Sequence, residues 1–154
     1  MAKTRRTLSD VARQMMSGVV QVHVEGNLEE DVRSVMNPSI RTPGFWSGSG
    51  FFVRFQDLEG HIVTNAHVVR NAVKVEISSM LTSEERFEAE VVGLAKNLEP
   101  DVALIRLGDK ELRRFRKHAI KDIEYLELRE GASPPRGEEI KAIGYPLGMI
   151  EPNI

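Results

Sequence analysis

The sequence predicts an all-β fold, an antiparallel barrel or sandwich entered through one short helix. Three observations carry this. Apolar and polar residues alternate in several short runs, as in half-buried strands. The runs are separated by turn-forming Gly, Pro, Asn and Asp clusters. No internal repeat or long apolar helix competes with that reading.

The elements follow in order. Thr7-Leu8-Ser9-Asp10 has the form of a capping box, and Leu8, Val11, Ala12, Met15 and Met16 then fall on one face at helical spacing. Residues 1–18 are therefore an N-terminal segment with a short helix. Val20, Val22 and Val24 alternate with Gln21 and His23, which predicts a strand with His23 directed to solvent. Residues 26–47 have no period and contain Asn37-Pro38 and Pro43-Gly44, which predicts a long surface loop. Phe45 and Trp46 end that loop, either at a subunit contact or packed over a barrel mouth. Residues 48–55 read as a strand, 56–60 as a polar turn and 61–64 as the hairpin partner. Further strands are expected around Val73, Val75 and Ile77, over 87–92 and over 102–107. A basic stretch from Lys110 to Lys121 is a helix candidate. After Ser133-Pro134-Pro135 a last strand is expected from Glu139 to Ile143, ending at Gly144-Tyr145-Pro146.

The bulk numbers exclude several classes. With 154 residues, 41% hydrophobic and 29% charged, the chain has enough apolar material for one domain with a sizeable core. A formal net charge of -2 gives no electrostatic case for nucleic acid or acidic lipid. No apolar run reaches membrane-spanning length. The basic start, Met1 to Arg6, resembles the opening of a signal peptide, but Ser9, Asp10, Arg13 and Gln14 interrupt any apolar region after it. The expectation is a cytoplasmic protein, or an extracytoplasmic one if a leader has been removed. The sequence has no cysteine, hence no disulfide framework and no thiol nucleophile. His23, His61 and His118 show no metal-ligand spacing, so neither a metal nor another cofactor is expected. The run Arg113-Arg114-Phe115-Arg116-Lys117 is balanced by Glu111, Asp122, Glu124 and Glu127, which makes it a solvated face.

Two residues are placed for chemistry. His67 follows the apolar strand Ile62-Val63-Thr64 and the small Ala66, so a short turn can aim its ring out of a barrel edge. Asp101 stands directly before the apolar run Val102-Ala103-Leu104-Ile105, at a strand start. Imidazole accepts and returns a proton near neutrality, and a carboxylate can hold it in one tautomer. Singly, each has a structural explanation: His67 as a packed or surface histidine, Asp101 as the cap of a turn.

The ordered set is more specific. Gly48-Ser49-Gly50-Phe51-Phe52-Val53, Thr64-Asn65-Ala66-His67-Val68-Val69, Asp101-Val102-Ala103-Leu104-Ile105 and Ala142-Ile143-Gly144-Tyr145-Pro146-Leu147-Gly148 occur in that order. In these motifs, from about Leu8 to Gly148, the chain resembles the HtrA/DegP-type branch of the trypsin-like serine proteases. The resemblance implies two antiparallel barrels with the active site between them, this chain supplying the first over 19–138 and beginning the second over 139–154. It implies His67 as general base and Asp101 as its orienting partner, unfolded or peptide protein substrates, and a homo-oligomer, trimeric among the related enzymes. Tyr145 stands where that family usually has asparagine. The family's nucleophile lies in a Gly-Asn-Ser-Gly-Gly segment, and no serine here has that surrounding. Ser49 reads instead as a small residue that lets strands pack closely. The polypeptide as given is therefore expected to be inactive by itself. Two alternatives stay open: a non-catalytic binding or scaffolding protein on the same barrel, and an unrelated small β-domain.

Overall fold

A computed structural model describes residues 7–28, 43–83, 85–95, 97, 99–128, 130–131 and 133–146. Helix α1, Leu8–Met15, opens through the capping box read from the sequence. The Thr7 side chain accepts from the Asp10 amide, and the Asp10 carboxylate accepts from the Thr7 amide. A single 3₁₀ turn, Met16–Gly18, then delivers the chain into the sheet.

Six strands follow: β1 Val19–Asn27, β2 Pro43–Phe55, β3 Leu58–Thr64, β4 Ala72–Ser78, β5 Phe87–Leu94 and β6 Ala103–Arg106. They close into an antiparallel barrel in the order β1-β2-β3-β6-β5-β4, with β4 pairing back onto β1. Closure leaves no free sheet edge. A four-residue helix α2, Ala66–Val69, follows β3, and a ten-residue helix α3, Asp109–His118, follows β6.

The period-two pattern decides which side chains enter the barrel. Val20, Val22, Phe52, Ile62, Ile77, Phe87 and Ile105 are all fully buried. Helix α3 is amphipathic, and its apolar side adds Leu112 and the fully buried Phe115. The Phe115 ring meets Phe52 and Phe87 edge-on, with centroids 5.4 and 5.0 Å apart. At the other end of β3, Ala66, Val68 and Val69 of α2 close the core. The two ends therefore differ: α3 seals one, and the loops around α2 form the rim of the other.

Three expectations are corrected. The loop expected over 26–47 is corrected at both ends, because Gly26 and Asn27 extend β1 while residues 43–47 belong to β2, with Gly26 paired to Gly44. Two glycines and a proline hide the alternation there, and Gly26 is required by contact, since a Cβ would lie 2.7 Å from the Trp46 ring. Asn37-Pro38 lies outside the described residues. Trp46 is thus a strand residue that packs against the core. The helix around 110–121 ends earlier, at His118. The last strand, over 139–143, does not form, and Ile140 is 73% exposed. Its alternating pattern has no neighbouring strand to pair with among the described residues.

Between α3 and residue 146 the chain runs back along the outside of the barrel. The Leu126 amide donates to the Phe52 carbonyl at 2.9 Å, and Gln14 Nε2 donates to Glu124 Oε1 at 3.1 Å. No helix among the described residues is long and apolar enough to cross a membrane.

Candidate active site

The ladder brings the two candidate residues together. β3 ends at Thr64, which pairs with Ala103 at the start of β6, so Asp101 comes beside the turn into α2. That turn is firmly held. Ala66, Val68 and Val69 are buried, and Trp46 Nε1 donates to the Val68 carbonyl at 2.7 Å. The His67 side chain points the other way and is 63% exposed.

His67 Nδ1 lies 2.6 Å from Asp101 Oδ2, and the His67 amide donates to Asp101 Oδ1 at 2.9 Å. One residue thus binds both carboxylate oxygens, through its ring and its backbone. The Asn65 side-chain amide donates to the Asp101 carbonyl at 3.1 Å and reaches Oδ2 at 3.4 Å. The His67 donors hold the Asp101 carboxyl below its ordinary value. The His67 backbone N–H contributes most, then the His67 ring, and partial desolvation opposes them. With Nδ1 committed to the carboxylate, Nε2 makes no hydrogen bond among the described residues. The arrangement can therefore accept a proton at Nε2 while Asp101 stabilises the imidazolium.

The sequence did not assign Asn65 or the backbone donors a role. A polar residue two positions before His67, at a strand end, was the available signal. Ser49 lies on β2 as expected, but its contribution exceeds close packing. Its carbonyl accepts from Thr64 Oγ1 at 2.8 Å, and its Oγ accepts from the Tyr145 amide at 2.7 Å.

The remaining histidines are elsewhere. His23 is not fully exposed, which corrects the expectation. It points out of the barrel but is half-buried in a cavity of about 810 Å³ lined by Trp46, Glu76, Ser78 and Arg86. Its Nε2 lies 2.7 Å from Ser78 Oγ, and its pKa is lowered by burial and then by Arg86. That cavity does not include His67 or Asp101, and three of its charged side chains pair with one another, Glu76 with Lys74 and Arg86. The chemistry therefore sits at the rim, not in the cavity. His61 is buried on β3, and His118 caps α3 through the Arg114 carbonyl. Among the described residues no group of three or more His, Cys, Asp or Glu side chains could hold a metal ion.

Comparison with known proteins shows the family of the chain. Residues 48–153 match the family model of the trypsin-like peptidase domain. A probable periplasmic serine endoprotease, DegP-like, of Buchnera aphidicola is 27% identical over 161 residues, covering 94% of this chain and 32% of that protein. Protease Do-like 1, chloroplastic, of Arabidopsis thaliana is 34% identical over 103 residues, 67% of this chain and 20% of that protein. The periplasmic serine endoprotease DegP of Salmonella typhimurium is 31% identical over 104 residues, 68% of this chain and 18% of that protein. The chain spans about a third or less of the length of these relatives.

Proposed function

Because this chain belongs to the trypsin-like peptidase family, in its HtrA/DegP branch, we propose that it supplies the general base and the orienting carboxylate of a serine endopeptidase acting on unfolded or peptide substrates. The observation that carries the reading is the 2.6 Å contact between His67 Nδ1 and Asp101 Oδ2 at an exposed barrel rim.

His67 is the base. A serine hydroxyl placed against Nε2 gives up its proton to the ring as its oxygen attacks the scissile carbonyl carbon. The ring returns that proton to the leaving amine, and a water then repeats the cycle to release the acyl group. Asp101 keeps Nδ1 protonated, which directs the Nε2 lone pair outward. No serine of these 154 residues lies in the family's Gly-x-Ser-Gly-Gly surrounding. The chemistry therefore needs a hydroxyl and an oxyanion site that this stretch does not carry. By itself the polypeptide is expected to cleave nothing and to stay unlabelled by a serine-directed fluorophosphonate. The relatives' names place two of them in the periplasm and one in the chloroplast. An extracytoplasmic site of action fits this chain if a leader precedes it in the cell.

The test is casein cleavage and fluorophosphonate labelling of the gene product at its natural length. His67→Ala should abolish both, and Asp101→Asn should lower kcat on the order of 10⁴-fold. A folded product that neither cleaves nor labels would favour the scaffolding reading. Cleavage that persists in His67→Ala would overturn the catalytic one.

A further inference from the structure

Ser49 is the single side chain in the triplet Gly48-Ser49-Gly50, and both flanking glycines are forced by contact. A Cβ at Gly48 would lie 2.6 Å from Val68 Cγ2, and one at Gly50 would lie 2.9 Å from Ile62 Cγ2 and from the Val63 carbonyl. The inner face of the triplet is therefore pressed against both α2 and β3. Its backbone position is fixed by the same elements that carry His67.

From that fixed place Ser49 reaches in two directions. Its carbonyl accepts from Thr64 Oγ1 at 2.8 Å, and Thr64 leads directly into Asn65, Ala66 and His67. Its Oγ accepts from the Tyr145 amide at 2.7 Å, across 96 positions of sequence. Tyr145 is 4% exposed and Thr64 is 5% exposed, so water competes poorly for these bonds. Gly144 is matched to the contact, since a Cβ there would lie 3.0 Å from Ser49 Oγ. Residues 133–143, which precede Gly144, form no strand or helix. Gly144 and Tyr145 are where the chain is tied back to the barrel.

We propose that Ser49 is a positioning residue: its hydroxyl anchors the Gly144-Tyr145-Pro146 turn at a set place relative to the His67–Asp101 pair. This rests on the endopeptidase reading above for its consequence but not for its geometry. Whatever the chain carries past the turn starts from a point referenced to the general base. Where a hydroxyl must meet that base, a displacement of about 1 Å can cost on the order of 10²-fold in rate.

The anchor is tested in the 154-residue polypeptide by amide hydrogen exchange followed by NMR. Ser49→Ala should speed exchange at Tyr145 at least about tenfold while Val22 and Ile62 keep their protection, and Ser49→Thr, which restores a hydroxyl, should restore the slow exchange. Ser49→Cys, which keeps a side chain of similar shape but replaces the hydroxyl oxygen by a weak sulfur acceptor, should reproduce the Ser49→Ala result and serves if Ser49→Ala folds poorly. Unchanged exchange at Tyr145 in Ser49→Ala, or in Ser49→Cys, overturns the anchor. At natural length, Ser49→Ala should lower kcat with KM little changed, and Ser49→Thr should recover it. A wild-type product without proteolysis, beside a Tyr145 amide that still responds to Ser49→Ala, would remove the endopeptidase reading and leave the anchor standing.

Discussion

Asp101 shows how one residue's environment fixes its charge. Its carboxyl is held below the ordinary value of 3.8, with the His67 backbone N–H as the first cause and the ring as the second. A depressed carboxylate stabilises the fold above its unfolded pKa, and that contribution is lost as pH falls through the lower folded value. The turn into α2 should therefore hold down to pH 3.8 and loosen below it. Carbon-detected titration of the Asp101 carboxyl should place its midpoint under 3.8. Because the backbone donor leads, His67→Ala should keep much of the depression; a full return to the ordinary value would show that the ring dominates. His67 and Asp101 were legible because each sits in a short motif and the motifs occur in a fixed order. Asn65 and Ser49 were not legible in this way, since their partners lie 36 and 96 positions away and only the closed barrel brings them near.

Individual elements depend on a few close contacts. The Gly18 turn lies so near the Glu124 carbonyl that a Cβ there would overlap it and also meet Leu126 Cδ1 at 2.9 Å. Gly18→Ala should therefore push the outer segment off β2 and cost about 1–3 kcal/mol by overpacking, read as a lower urea midpoint at unchanged m. His61 on β3 is a different kind of pressure point. It is 7% exposed, and its Nδ1 has no hydrogen-bond partner among the described residues. Burial and then Arg106 lower its pKa from the ordinary 6.5. A lowered imidazole favours the fold above its unfolded pKa, so stability should decline as pH drops below 6.5 towards the folded value. His61→Leu should be neutral or stabilising at pH 7, because it removes a buried orphan polar atom, and should flatten that acid decline. Urea titrations at pH 7 and pH 5 check both statements. The alternation that revealed β1 and β4 misled over 139–143, where a strand-like pattern meets no partner among the described residues. It was also silent over 43–47, where glycine and proline carry the pairing. Pattern reports a side chain's preference for a face, and register depends on which neighbour is left to pair with.

For the molecule as a whole, the two barrel ends are unequally covered. Helix α3 closes one with Leu112 and Phe115. Along the second half of β5 and just before β6, Val91, Val92, Leu94 and Val102 are 42%, 49%, 41% and 47% exposed. Leu94 pairs with Ala103 and Val102 adjoins Asp101, so this apolar surface reaches the candidate active site at its Leu94–Val102 end. Covering four half-exposed side chains would contribute on the order of 3–5 kcal/mol. Bringing in a separate molecule costs about 4–15 kcal/mol in lost translational and rotational freedom, so that gain reaches only the low end of the cost. A cover belonging to the same polypeptide avoids most of this cost, as a second half of a peptidase domain would. The 154-residue polypeptide should therefore associate weakly through this rim, with sedimentation velocity showing a concentration-dependent average mass and no tight dimer at micromolar levels. Val92→Lys with Leu94→Lys should make it monomeric without lowering the melting temperature by more than a few degrees, since neither side chain belongs to the buried core. A wild-type chain that stays monomeric at millimolar concentration would show that the rim is not adhesive, and a dimer that survives both lysines would locate the contact on another face.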